Sequence, residues 1–136
     1  MKKQSRTKAR AEAFKLIFQA ETNSDDMEFL IGHMLDEHPE AAGNIDYIRK
    51  CALGVLEKRD ELESDISDNL TSGWKLARIS KVALCVLKLA IFEIKYIDDV
   101  PERVAVNEAV ELEKAYDDPD NSAFVNGVLG GFLKKR

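Results

Sequence analysis

Apolar residues recur along this chain at helical spacing rather than in strict alternation. Ala13, Phe14 and Ile17 form one stripe and predict a first helix from near Ser5 to near Ala20. The polar run Thr22-Asn23-Ser24-Asp25 breaks it and can cap a second helix carrying Met27, Leu30, Ile31, Met34 and Leu35. Pro39 and Gly43 mark a loop. Asn44 is placed to cap the next stretch, where Ile45, Ile48, Ala52, Val55, Leu56, Leu62, Ile66 and Leu70 predict one long helix or two nearly collinear ones. Ser72-Gly73 ends that pattern, and Trp74, Leu76 and Ile79 read as a short packed turn.

Ser80 to Tyr96 is apolar almost all round, which predicts a central helix enclosed by others. Lys81, Lys88 and Lys95 interrupt it at intervals of seven. At ~100° per residue they fall within ~40° of one another, so the helix is expected to expose one thin basic edge. Such an edge is more often a solvated face than a ligand track. Pro101 sits near a helix start, and Val104, Ala105, Ala109, Val110 and Leu112 form the next apolar face. After Asp117-Asp118-Pro119-Asp120, either Asp120 or Asn121 can cap a last helix carrying Phe124, Val125, Val128, Leu129 and Phe132. Gly127 in that helix suits a close helix approach, and Gly130-Gly131 suits a fraying end. The expected fold is all-α, with six or seven helices and short connections.

The chain has 136 residues, 45% of them hydrophobic, which suits one domain with an ordinary core and excludes a disordered chain. Its net charge of −5 argues against a nucleic-acid partner only as a total. Residues 1–20 hold six Lys or Arg and a single acid, Glu12, while the rest holds 14 Lys or Arg and 24 Asp or Glu. A basic arm precedes an acidic body. Cys51 and Cys85 read as free buried thiols of a reducing cytoplasm. The first apolar stretch, Ala11 to Ala20, is broken by Glu12, Lys15 and Gln19, unlike a secretory signal. The longest apolar run, Val82 to Leu87, is too short for a membrane span.

Catalytic patterns are missing. No glycine-rich phosphate loop or nucleophile elbow occurs. His33, His38 and the two cysteines lack metal-ligand spacing, and the histidines read as solvated. Glu108 and Glu111 can share a helix face, but such carboxylates usually serve solvation. The expectation is a binding protein with no enzymatic activity, cofactor or metal.

On a helix, Lys3, Arg6 and Arg10 fall within ~60° of one another, Phe14 continues that stripe and Phe18 lies beside it. Cations that neutralise phosphates next to a ring that stacks on a base suit single-stranded RNA. The same residues also fit a bland reading, in which the arginines cap the core and pair with acids of the body. Phe14 belongs more naturally in the core, and Phe18 fits either place.

Several blocks carry a resemblance. They are Arg78-Ile79-Ser80-Lys81-Val82, Leu87-Lys88-Leu89-Ala90-Ile91-Phe92-Glu93, Val100-Pro101, Val106-Asn107-Glu108-Ala109-Val110-Glu111-Leu112 and Phe124-Val125-Asn126-Gly127-Val128-Leu129, with Arg6-Thr7-Lys8-Ala9-Arg10 near the start. In this order they resemble the NusB family of bacterial transcription antitermination factors over essentially the whole chain. The resemblance implies a bundle of about seven helices in two packed subdomains, forming one RNA-binding domain over residues 1–136. It implies a non-enzymatic cytoplasmic factor that binds boxA-type single-stranded RNA together with the ribosomal protein NusE. That pair joins an RNA polymerase antitermination complex on ribosomal RNA operons.

By position, Arg6, Lys8 and Arg10 match the family's basic RNA-binding motif, and Phe18 matches an aromatic position often held by Tyr. Asp120 matches an acidic position at the RNA site, with Phe124 and Asn126 in the adjoining motif. Lys3 and Lys81 complete the expected RNA-binding set. Ala83-Leu84 stands where an acidic–basic pair is common, and Thr7 where a further basic residue is common. Gly130-Gly131 replaces a more polar helix end. Two other functions fit the chain: an RNA-targeting domain like that preceding rRNA cytosine methyltransferases, and a protein–protein adaptor without RNA. Monomer and homodimer both remain open.

Overall fold

In the computed structural model, which describes residues 4–71 and 73–136, Ser5 caps the first helix. Its extended backbone lets the side-chain oxygen accept from the Lys8 backbone N–H at 3.2 Å, satisfying a donor that the first turn cannot. Helix α1 then runs Arg6–Asn23, three residues beyond the expected end, and closes on Ser24 in the left-handed conformation. Asp26 rather than the preceding run caps α2, Met27–Glu37, by accepting from Phe29 N–H at 3.1 Å. A 3-10 turn, Pro39–Asn44, leads into α3, Ile45–Glu57.

The turn corrects the role expected of Asn44. With the 3-10 turn passing directly into α3, Asn44 is buried and its amide donates to the Gln4 carbonyl at 2.8 Å and the Gln4 side-chain oxygen at 3.3 Å. It anchors the arm where α1 begins. Ala9, Ala13, Phe14, Leu16 and Ile17 of α1 form the core of this N-terminal unit with Leu30 and Ile31 of α2 and Ile48, Ala52 and Val55 of α3.

The C-terminal unit begins at Lys58, where the helical pattern over residues 45–70 breaks. It contains α4 Arg59–Ser67, α5 Lys81–Tyr96, α6 Glu102–Tyr116 and α7 Ser122–Lys134, with short 3-10 turns at Leu76–Arg78 and Pro119–Asn121. Every residue of α5 from Cys85 to Ile94 is buried. The expected exposed basic edge is therefore wrong. Lys88 is 1% exposed and its ammonium lies 3.1 Å from Glu63 of α4, while Lys95 lies 2.6 Å from Glu61 and 2.8 Å from Asp65 of the same helix. The basic edge of α5 is a charged seam against the acids of α4, and of the three lysines Lys81 alone is exposed.

Two expectations about α7 also change. A Cβ on Gly127 would meet nothing within 4 Å, whereas one on Gly131 would come within 2.9 Å of the Asn69 side-chain oxygen. The close approach is at Gly131, in a helix that continues to Lys134 rather than fraying. With open space around it, Gly127→Ala is expected to stabilise the unit by about 0.5–1 kcal/mol through helix propensity. A rise in the denaturation midpoint checks this, and a fall would contradict it.

Candidate nucleic-acid interface

The expected RNA-binding residues fall on both units, and each group has its own surroundings. Lys3 lies outside the described residues. Arg6 is half-buried, its guanidinium 4.2 Å from the ring centre of Tyr47 on α3. Arg10 stands one turn on, 5.9 Å from the same ring and only 2% exposed. A planar cation over an aromatic face is worth about 0.5–2 kcal/mol, depending on how far water is excluded. Arg6 and Arg10 thus share a face against Tyr47, and Arg10 packs inward, joining α1 to α3. Thr7 and Lys8 are exposed, and Lys8 presents the arm's charge to solvent. Lys15 pairs with Glu12 at 3.6 Å. Phe14 is core, as expected, and Phe18 leaves part of its ring accessible, 6.1 Å from the Phe14 ring.

On the C-terminal unit, Ser80 caps α5 and ties two elements together. Its hydroxyl oxygen accepts from Ala83 N–H at 3.0 Å and donates to the Asp117 carboxylate at 2.6 Å. Asp117 closes α6 and also accepts from the Asn121 side-chain amide at 3.5 Å. Burial pushes its carboxyl pKa up, but the bonds from the Ser80 hydroxyl, Asp118 N–H, Glu113 and Asn121 outweigh burial and hold it below the usual range. Asp118 caps the following turn by accepting from Asp120 N–H at 3.0 Å, leaving the Asp120 side chain exposed. Neither Asp120 nor Asn121 caps α7 with its side chain.

Phe124 is half-buried on α7, its ring 5.7 Å from that of Trp74 and tilted by 39°. Trp74 is not packed away as expected; it is 49% exposed. The pair borders a groove of about 300 Å³ whose other walls are Arg78, Ile79, Ser80, Ala83 and Asn121. Ala83, small and buried, forms part of the groove's lining, while Leu84 is half-buried. Asn126 lies two residues past Phe124, about 200° around the helix. It lines a separate shallow depression with Asn107, Glu111 and Lys114. Lys81 is exposed at the first turn of α5.

Sequence reasoning missed Tyr47 and Trp74. Tyr47 gave no signal without the fold. Trp74 is the chain's single tryptophan, follows Gly73 and precedes Lys75, a polar setting that argues against deep burial. An exposed Trp74 beside a half-buried Phe124 and Arg78 can stack on planar groups, and the exposed cations can meet phosphates. Nothing in the arrangement suggests bond-breaking chemistry. His33 and His38 pair with Glu37 and Glu40 at 3.0 and 3.4 Å. Among the described residues no group of three potential metal ligands comes together, and no helix is long and apolar enough to cross a membrane.

Comparison with known proteins gives one answer. The model of the NusB family matches residues 7–134. The transcription antitermination protein NusB of Clostridium botulinum (strain Alaska E43 / Type E3) is 39% identical over 133 residues, covering 96% of this chain and 99% of the relative. The structure of T. maritima NusB superposes with a TM-score of 0.86 at 31% identity, covering 99% of this chain and 94% of the other. A structure of NusB and NusE in complex with double-stranded RNA has the same fold, with a TM-score of 0.83 at 23% identity and coverages of 96% and 97%.

Proposed function

The chain belongs to the NusB family of non-catalytic transcription antitermination factors, and from that premise we propose that it binds boxA-type single-stranded RNA together with NusE. The pair supports processive transcription of ribosomal RNA operons within a cytoplasmic RNA polymerase complex. The family match over residues 7–134 carries this reading. The solved assembly of NusB and NusE with double-stranded RNA supports NusE and RNA as partners, while the single-stranded boxA form of the RNA is our proposal.

The residues take distinct roles. Arg6, Lys8 and Lys81 meet phosphates, with Lys3 extending the basic arm. Arg10 fixes the start of α1 against Tyr47, so that Arg6 is held in place. Phe18 and Phe124 offer ring faces to unstacked bases, and Phe18 stacks without a hydroxyl to hydrogen-bond. Asp120 accepts hydrogen bonds from base amino groups or 2′-hydroxyls. Phe124 and Asn126 face different ways from α7, so they engage different groups. The acidic remainder of the chain favours a basic ribosomal partner.

Fluorescence anisotropy with labelled boxA and scrambled RNAs, with and without NusE, tests the proposal. Weak binding of boxA alone, tightened by NusE and poorer for the scrambled sequence, is the expected pattern. Equal affinity for the two RNAs in the presence of NusE would overturn it.

A further inference from the structure

One buried acid near this surface has no part in the roles above. Glu113, in the last full turn of α6, is fully buried, and no N–H or hydroxyl donor among the described residues reaches either carboxyl oxygen; the group it faces is the Asp117 carboxyl. Its backbone carbonyl accepts from Asp117 N–H at 3.0 Å, so the two side chains are neighbours one helical turn apart. Two ionised carboxylates offer only acceptors to each other; Asp117 has Ser80 and Asn121 as donors, but an ionised Glu113 would be buried without one, which costs energy. A proton on Glu113 removes that conflict, because the acid can then donate to Asp117.

The ionisable groups on the elements around α6 supply no alternative partner. On α5, Lys88 and Lys95 are taken by acids of α4, Lys81 is exposed and Glu93 is itself an acid. The following turn contributes only Asp117, Asp118 and Asp120. On α7, Lys134 is exposed at the far end. On α6 itself, Lys114 pairs with Glu111, and Glu102, Arg103 and Glu108 lie at least one turn before Glu113. Among the described residues, the ionisable group that acts on Glu113 is Asp117.

We propose that Glu113 is a positioning residue that works as a neutral acid: its O–H donates to Asp117 and latches the end of α6 to Ser80 of α5, fixing the 117–121 turn for RNA. The inference rests on the RNA-binding reading for its functional consequence, though not for the latch itself. Burial first, then the Asp117 carboxylate, raises the Glu113 pKa to about 8, so the proton is present at neutral pH. In alkali the proton passes to hydroxide, the two carboxylates repel, and the turn that carries Asp120 loosens.

Two measurements on the full chain test this. The first follows the Glu side-chain carboxyl signals by ¹³C NMR from acid to alkali, with Glu113→Gln identifying the Glu113 signal by its loss. A midpoint near 8 is expected; a midpoint in the ordinary carboxylate range would overturn the latch whether or not RNA binds. If Glu113→Gln fails to fold, the wild-type titration decides: absence of any Glu carboxyl signal with a midpoint near 8 would overturn the latch. The second measures boxA affinity in the presence of NusE on either side of that midpoint. Wild type is expected to weaken about threefold or more relative to Glu113→Gln, whose amide donates at every pH. Parallel behaviour of the two proteins would overturn the link to RNA. Absence of binding by both at neutral pH would contradict the RNA reading and so that link, leaving the latch to stand or fall by the NMR midpoint.

Discussion

Lys88→Ala is expected to destabilise the C-terminal unit by about 3 kcal/mol, a large fraction of the stability of a small domain. The lysine is enclosed on α5, and its ammonium lies 3.1 Å from Glu63. Truncation removes both the partner of that carboxylate and the methylenes filling the space between α4 and α5. Glu63 keeps Arg59 at 3.0 Å and some contact with water, which places the loss at the lower end for a broken buried pair. Lys88→Met keeps the apolar volume and is expected to cost about 1 kcal/mol less than Lys88→Ala or better. Urea denaturation followed by circular dichroism checks both; equal midpoints for wild type and Lys88→Ala would sink the assignment.

The pair also has a pH signature. Burial raises the Glu63 pKa, but bonds from Lys88 and Arg59 outweigh it and leave the pKa lowered. Its contribution is therefore present above the ordinary carboxylate pKa and lost as pH falls through the lowered value. Glu113 works the other way. Its raised pKa makes its own contribution full below the ordinary carboxylate pKa and lost as pH rises from there to about 8. Glu113→Gln is expected to flatten that decline between the ordinary carboxylate pKa and about pH 8 and to leave the Glu63 acid limb in place.

The second large effect concerns RNA. Arg6→Ala combined with Lys8→Ala is expected to lower boxA affinity about tenfold at moderate salt. It should also reduce the slope of log K against log salt by ~1.4, the value for two phosphate contacts to single-stranded RNA. Arg10→Ala is expected to act differently. Arg10 is buried over Tyr47, so its loss lowers thermal stability and weakens RNA binding through displacement of α1, with little change in salt slope. Unchanged slope and affinity in the Arg6 and Lys8 double variant would remove the arm from the interface.

The parts of this structure that depend on local chemistry were legible in the chain. Ser5 and Ser80 cap the helices their positions suggest, and Phe14, Ile17 and the apolar run of α5 are buried. What escaped depends on partners distant in sequence. Lys88 and Lys95 look solvated until Glu61, Glu63 and Asp65 of α4 are set against them. Asn44 looks like a cap until Gln4 returns beside it, forty residues away. Gly127 and Gly131 differ only in what lies across from them. The same holds for the candidate site: Arg6, Lys8 and Phe124 could be named from order and motif, whereas the inward packing of Arg10 and the Trp74–Phe124 contact required the fold.

The central claim is that boxA RNA is contacted by residues at the start of α1 in the N-terminal unit and, in the C-terminal unit, by the Asp120–Asn126 segment. Photo-crosslinking of boxA RNA to the full chain with NusE, followed by peptide mapping, tests it most directly. The account predicts crosslinked peptides containing Phe18 and peptides containing Phe124, both suppressed by unlabelled boxA and not by scrambled RNA. Crosslinks confined to other segments, such as α2, would contradict it.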